Sequence, residues 1–477
     1  MLDPRLTRYG LKMSVIEGSW ATVHAVVTTG AYLVGYALFL GANDLQLGVL
    51  TALPLLAQAF QIVGAYYVEK TGQRKSVALW TAVLGRSMWL PISLLPLLSL
   101  SNPVAAFMVL VALSGALLNL SAPGWVAWMS DLVPPRIRGR YFGWRNSIVA
   151  LVTVVTSLAV GTVLDLARHR GATHLGFMAI QWLAVVAGLL AFVCLRKQPE
   201  PPYSRESPPS LRQYVVRPFL DPAYRKVITF YLYWLFVVGI ASPFFSAHLI
   251  KHLGWNFKRI ASLDIIAAAL AVLFQPLWGK ALDRYGHKPV LYVTAAVLVH
   301  VPLYYAFCPY DWHWPIYANA IFSGIFWSGF NTAVFNLVLH SSPPRGRPGF
   351  VALQAALSGL MNFLASTFGG WLAQLLSPYR WQVGMLTIVN YQILFAATAI
   401  LRLPSLWLIR RLDEPEAKQT LALIRQAFLE VNRRIGLGRQ LLALAGSNGP
   451  RAQTPGRPRS RIREEGQPGG KVRVHHA

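Results

Sequence analysis

The sequence predicts an all-α polytopic membrane protein in which twelve transmembrane helices form two pseudo-symmetric six-helix bundles. Three observations carry that expectation. Only 13% of the residues are charged while 55% are hydrophobic, and the mean hydropathy is +0.43, whereas a soluble domain carries about 25% charged residues. Twelve stretches are apolar over about 20 residues, the length that crosses a bilayer as a helix with its backbone groups satisfied internally. Short polar sequences also recur in matching loops of the two halves.

Residues 1–17 are polar and precede no small-residue cleavage site, so they read as a retained amino terminus rather than a signal peptide. The amino-terminal bundle covers 18–195, with spans expected at 18–40, 45–68, 76–98, 104–129, 146–166 and 174–195. A loop rich in Pro, Ser and Arg, 196–226, separates it from the second bundle. That bundle covers 227–409, with spans at 227–250, 260–282, 289–307, 314–339, 350–376 and 382–409. A basic tail, 410–477, closes the chain.

Charge placement sets the expected orientation. Lys and Arg number 44 against 18 Asp and Glu, a net charge of +26. In a soluble protein that balance points to nucleic acid. Here the cations cluster in alternate loops and at both termini, while the intervening loops hold only Arg168, Arg170, Lys251, Lys258 and Arg380. The positive-inside rule therefore places both termini in the cytoplasm, as an even span number requires, and argues against a nucleic-acid partner. In the tail, Leu421, Ile424, Phe428, Val431 and Ile435 recur at helical spacing with Arg425, Arg433, Arg434 and Arg439 on other faces. This pattern suits a helix lying on an anionic inner leaflet. Beyond it, residues 447–477 are rich in Gly, Pro and Arg and cannot build a core.

The repeat is explicit. Gly279-Lys280-Ala281-Leu282-Asp283-Arg284-Tyr285-Gly286-His287-Lys288 follows span eight, and Ala65-Tyr66-Tyr67-Val68-Glu69-Lys70-Thr71-Gly72-Gln73-Arg74 follows span two, 214 residues earlier. Pro135-Arg136-Ile137-Arg138-Gly139-Arg140 after span four is echoed by Pro344-Arg345-Gly346-Arg347 after span ten. These loops resemble the major facilitator superfamily, whose loops after spans two and eight carry G-x-x-x-D-[RK]-x-G-[RK]-[RK]. The second copy departs only at His287, and the first at Ala65, Glu69 and Gln73. The resemblance covers residues 18–409 and implies alternating access by rocking of the halves, with spans one, four, seven and ten lining a central cavity.

A carboxylate can accept hydrogen bonds from the open N–H groups of a neighbouring helix start and complement its positive dipole end. Glu69 and Asp283 are expected to cap the opposite half's spans five and eleven, which begin after Arg138-Gly139-Arg140 and Arg345-Gly346-Arg347. With Lys70, Gly72, Arg74, Arg284, Gly286 and Lys288 they form an expected cytoplasmic latch. The bland alternative is that these cations only set topology.

Trp20, His24, Thr28, Tyr32 and Tyr36 recur every four residues along span one, and the offset of 214 carries the stripe to Trp234, Val238, Ser242, Ser246 and Ile250. The two stripes are expected to face one cavity, with Asn119 and Trp125 of span four and Trp327, Asn331 and Asn336 of span ten. Interfacial belts and interhelical ties are the bland alternatives. Arg86 and His300 lie at equivalent depths in spans three and nine, and Arg86 requires a partner, a structural tie being favoured over anion binding. Glu17, His24 and Asp264 are the candidates for proton coupling, Asp264 through desolvation deep in span eight and Glu17 near the start of span one.

No metalloprotease, zinc, Walker or nucleophile-elbow motif appears. Cys194 and Cys308 both lie in apolar segments. No cofactor, metal or catalytic residue is expected. The reading is a monomeric secondary transporter of the cytoplasmic membrane that moves a small polar or amphipathic solute with protons. One alternative is a drug or metabolite efflux antiporter, although span five holds only Gly161 and none of the Pro that the resemblance associates with drug antiporters. Another is a membrane enzyme or sensor on the same fold. Arg205-Glu206-Ser207-Pro208-Pro209 is a fragment of a sugar-porter motif and reads as coincidence.

Overall fold

A computed structural model of the protein describes residues 3–202, 220–309, 312–341, 347–383, 386–412 and 414. The expected tail helix, most of the central loop, Arg345 and Gly346 lie outside the described residues. Among the described residues ten helices are long and apolar enough to cross a membrane, and the bent pair Pro4–Thr28 and Gly30–Phe39 makes an eleventh. That pair is span 1. Spans 2 to 10 are Asp44–Thr71, Arg74–Leu97, Pro103–Leu132, Arg140–His169, Thr173–Lys197, Tyr224–Lys251, Phe257–Tyr285, His287–Ala306 and Trp314–Val338. Span 11 is the 30-residue helix Arg347–Leu376, whose apolar run includes Gln354, Ser358, Asn362 and Ser366 and which packs against spans 2 and 7. Span 12 is Asn390–Arg410.

Two boundaries differ from expectation for local reasons. The first helix begins at Pro4, because the Asp3 side chain accepts from the Arg5 N–H and Pro fits the first helical turn. Span 12 begins at Asn390, because Trp381–Val383 and Leu386–Ile388, rich in β-branched residues, pair as an antiparallel ribbon with Trp381 opposite Ile388. The Gln392 side chain then accepts from the Val389 N–H at 2.9 Å and starts the helix.

The repeat seen in the loops also governs where helices break. Span 1 breaks at extended Thr29 and at Gly30, whose φ of 60° an ordinary L-residue resists, and bends by 40°. The Thr28 and Thr29 hydroxyls donate to the carbonyls of His24 and Ala25, one turn before the break. Ser242, 214 residues after Thr28, precedes Pro243 where span 7 divides into Pro222–Ala241 and Phe244–Lys251. Span 3 is interrupted at Met88 and span 9 at Val301 and Pro302, again 214 residues apart.

The core is unequal along the spans. At the end remote from the termini, called here the far end, one hydrophobic cluster fuses both halves through Tyr32, Phe177, Phe244, Phe257 and Tyr391. Toward the end carrying the termini the clusters separate: Trp128, Met129 and Leu195 belong to the first half, and Tyr224, Trp234, Phe330 and Phe350 to the second.

Candidate functional site: two seams and the space between the halves

Two helix pairs close the far end with the same device, a glycine and an aspartate one turn apart. In span 2 these are Gly48 and Asp44. A Cβ on Gly48 would lie 2.2 Å from the Ser366 carbonyl oxygen and 3.0 Å from Gly370 Cα, so only glycine lets spans 2 and 11 meet backbone to backbone. Asp44, buried, accepts from Tyr391 Oη at 2.6 Å, Asn390 Nδ2 at 2.7 Å and Lys251 Nζ at 3.1 Å, tying span 2 to spans 12 and 7. Its own backbone N–H donates to Gln374 Oε1 at 3.2 Å.

In span 5 the pair is Gly161 and Asp165. A Cβ at 161 would lie 3.0 Å from the backbone nitrogen of Lys258. The Asp165 carboxylate accepts from the N–H groups of Phe257 and Lys258 at 2.8 and 3.0 Å, capping the first turn of span 8 across the halves. Phe257 then stacks on Tyr32 of span 1 at 5.9 Å, where Gly35 leaves room for its ring. The physics expected of Glu69 and Asp283 is therefore present, but in other residues and at the opposite end.

At the terminus end the motif cations whose contacts are described meet partners in their own half. Arg74, fully buried, pairs with Asp131 and with Glu200 at 3.3 Å, and its Nη2 donates to the Pro201 carbonyl. At the equivalent place in the second half, Glu414 accepts from the N–H groups of His287 and Lys288, whose Nζ donates to the carbonyls of Arg410 and Leu412. Lys70 lies over the Tyr66 ring and Arg284 over Tyr285. Arg138 donates to the Ser130 carbonyl, and Arg140 is exposed. Gly72 and Gly286, at φ 73° and 91°, end span 2 and precede span 9, and Gly139 lies in the first turn after the span 4–5 loop. Asp283 is exposed without a partner among the described residues, Glu69 lies in the last turn of span 2, and Arg347 opens span 11.

The span 1 stripe does not form one cavity-facing row. A four-residue step drifts by about 40° per repeat on a helix of 3.6 residues per turn, and the break at Thr29 redirects the second part of the span. His24 is buried against span 6, its Nδ1 3.0 Å from the Ala184 carbonyl and its ring edge-on to Trp89. Thr28 bonds its own helix, while Tyr32 and Tyr36 donate to the carbonyls of Ser157 and Ile92. Trp20 is half-buried. Trp234 is fully buried and stacked on Phe330, so it faces the second half's core instead of the first half. Asn119 takes the interhelical role, accepting from Gln61 Nε2 at 2.8 Å. Trp125 lies beneath the Arg145 guanidinium. Asn331 is exposed, and Ser246 and Asn336 are half-buried. His300 packs edge-on against Tyr304 and Phe322.

Arg86 has its partner. Glu17 lies 3.4 Å from Arg86 and 3.8 Å from Arg145, all three carrying little exposure. Because the first helix begins at Pro4, Glu17 lies about 20 Å along it, not near its start. Arg145 lies just outside the expected span five, so its sequence position gave no signal of burial. Asp264 differs from these groups: it is exposed, has no hydrogen bond among the described residues, and stands within electrostatic range of Tyr32 in one half and Tyr305 in the other. It borders the space between the halves. A cavity of about 290 Å³ within the second half contains Ser242 and Trp327 from the expected set, together with Arg402, which the sequence reading did not single out. Among the described residues no group of three or more His, Cys, Asp or Glu is placed to hold a metal ion.

No curated protein matches the chain in sequence. The Major Facilitator Superfamily profile matches residues 20–256 and 227–449. Among solved structures, a variant of the nucleoside transporter NupG superposes with a TM-score of 0.63 at 13% identity, covering 86% of this chain and 99% of that one. A variant of the peptide transporter POT in complex with sulfate gives 0.63 at 14% identity, covering 84% and 94%. A D-xylose-proton symporter gives 0.57 at 17%, covering 87% and 97%. At these identities the likeness is one of fold.

Proposed function

This chain belongs to the Major Facilitator Superfamily, a family of transporters and not of enzymes, and we propose that it moves a small polar or amphipathic solute across the cytoplasmic membrane by alternating access, coupled to protons. The supporting observation is the unequal core: one cluster fuses the halves at the far end, and separate clusters serve each half toward the termini. Such a molecule is closed on one side and parted on the other. With the termini in the cytoplasm by the positive-inside rule, this conformation is the inward-open one. In the outward-open state Glu69 and Asp283 close the terminus end against the helix starts near Arg138 and Arg347, while Gly48, Gly161, Asp44 and Asp165 part.

Proton coupling falls to Asp264. A coupling group needs access to the solute path and freedom to change protonation. Asp264 has both, whereas Glu17 is held by two arginines and His24 by the Ala184 carbonyl. The solute path runs between Asp264, Tyr32, Ser242 and Trp327. Uptake into proteoliposomes is measured for labelled uridine, D-xylose, a dipeptide and benzoate, with counterflow at equal pH and accumulation under an imposed pH gradient. Asp264→Asn is expected to abolish gradient-driven accumulation and spare counterflow. Full accumulation in Asp264→Asn removes the coupling role, and absence of uptake and exchange for every solute class removes the transport reading.

A further inference from the structure

Arg402 of span 12 is 2% exposed in a helix that crosses the membrane. A guanidinium is always charged and carries five N–H donors in a planar fork. One of its bonds has a local explanation. Pro302 has no N–H and leaves the Leu298 carbonyl, four residues earlier, without its helical donor, and Arg402 Nη1 donates to that carbonyl at 2.7 Å. The Trp234 ring lies 5.7 Å from the guanidinium carbon. Neither contact neutralises the charge. Nε is buried with no hydrogen-bond partner, and among the described residues the guanidinium makes only the Nη1 bond. Nε and Nη2 of an arginine form the side-on edge that binds a carboxylate through two parallel N–H···O bonds.

The first half shows what a satisfied buried arginine looks like here. Arg86 has Glu17 within 3.4 Å. No described carboxylate pairs with Arg402. Arg402 itself lines the cavity of about 290 Å³, whose wall also includes Ser242, Phe245, Tyr305, Asn319, Ser323 and Trp327. Ser242 stands at the break of span 7, the kind of interruption at which carriers place solute sites. The wall contains no acidic residue, the three aromatic side chains of Phe245, Tyr305 and Trp327, and several hydroxyl or amide groups. An unpaired buried cation is costly unless an anion completes it.

We propose that this cavity is an anion subsite, in which the Arg402 guanidinium grips the carboxylate of a small aromatic or amphipathic acid whose apolar part lies against Trp327 and Tyr305. It deepens the transporter reading by naming the solute class, and it rests on that reading for its role though not for its test. A carboxylate fits better than a tetrahedral anion because the free edge is planar and the flanking faces are flat rings.

The test uses the purified full chain in nanodiscs of zwitterionic lipid, which removes anionic headgroups as occupants. Benzoate, its neutral isostere benzamide and inorganic phosphate are titrated calorimetrically, and thermal shifts are read in parallel. Benzoate is expected to bind and raise Tm, and benzamide to do neither. Arg402→Gln is expected to weaken benzoate at least ~10-fold, the scale of losing a charge-assisted pair, with Arg402→Lys intermediate because an ammonium lacks the fork. Should Arg402→Gln fail to fold, Ser242→Val and Trp327→Leu carry the test by weakening benzoate at unchanged unliganded Tm. Equal binding of benzamide and benzoate overturns the proposal, as does unchanged benzoate affinity in folded Arg402→Gln or in both wall variants. No benzoate binding to the wild type, with or without phosphate binding, also overturns it. Counterflow failing for every solute while benzoate still binds would remove the transport reading alone.

Discussion

The two ends of this molecule carry the same kinds of residue and put them to different use. At the far end Asp44 and Asp165 are fully engaged across the halves, each one turn from a glycine that lets backbones touch. At the terminus end Asp283 is exposed, and Arg74 and Lys288 are spent on the chain segments that follow spans 6 and 12 of their own halves. A carboxylate alone does not close a seam. The far end closes because small residues remove the space between helices, so each charge finds its partners without water.

The largest effect is expected where that space is filled. In Gly48→Leu the new Cβ meets a backbone carbonyl that cannot rotate away, and overpacking of this kind costs about 3 kcal/mol or more. The sealed far end should then lose at least ~100-fold in population. Thiol labelling of a cysteine introduced at the buried Ala373 of span 11, in a background without Cys194 and Cys308, reads the change. Labelling as slow as in the parent would show that the 2–11 seam does not hold the end shut.

Removing the charge at the same seam should matter next. Asp44→Asn breaks the ion pair with the exposed Lys251 and weakens two further buried bonds, a loss of roughly 2 kcal/mol. Asp165→Ala removes only a helix cap, about 1 kcal/mol, and should raise Ala373-site labelling several-fold less than Asp44→Asn. The reverse ranking would assign the seal to the 5–8 seam.

The smallest effect is one of pH. His252 lies just past span 7 against Tyr391 and His248. Burial foremost, then Lys251, hold its pKa down at about 4, opposed by Asp44 and assisted by Arg380. A histidine whose pKa is lowered in the sealed state favours that state above its ordinary value near 6.5. The benefit is lost as pH falls below 6.5 toward 4, where the opened end takes up a proton and the sealed end does not. Far-end labelling should therefore rise from pH 7.5 to pH 5, and His252→Gln should flatten the rise. An unchanged slope in that variant would place the pH response elsewhere.

The sequence made the architecture legible because hydropathy and alternating cations are one-dimensional signals. The repeat was legible for the same reason, down to Gly72 and Gly286. The seams were not, because Gly48 and Gly161 acquire meaning only against Gly370 and Lys258, far away in the chain. Asp44 and Asp165 sat at expected span edges, where a carboxylate attracts no notice. His24 and Trp234 misled in the other direction: polar and aromatic groups inside spans suggest a solute path, yet these two bury themselves in their own halves. Arg402 reads from sequence as one more cation in a basic protein, and its importance comes from Pro302 and from the lack of an acidic neighbour among the described residues.

Alternating access requires that closure at one end and closure at the other exclude each other. Electron–electron distances between spin labels test it directly, with one pair at Arg170 and Tyr379 across the far end and another at Arg136 and Lys280 across the terminus end. In Gly48→Leu the far-end distance should lengthen while the terminus-end distance shortens, and adding Asp283→Asn should leave the first change intact and reduce the second. Both distances lengthening together, or a far end that opens with no movement at the terminus end, would contradict alternating access in this protein.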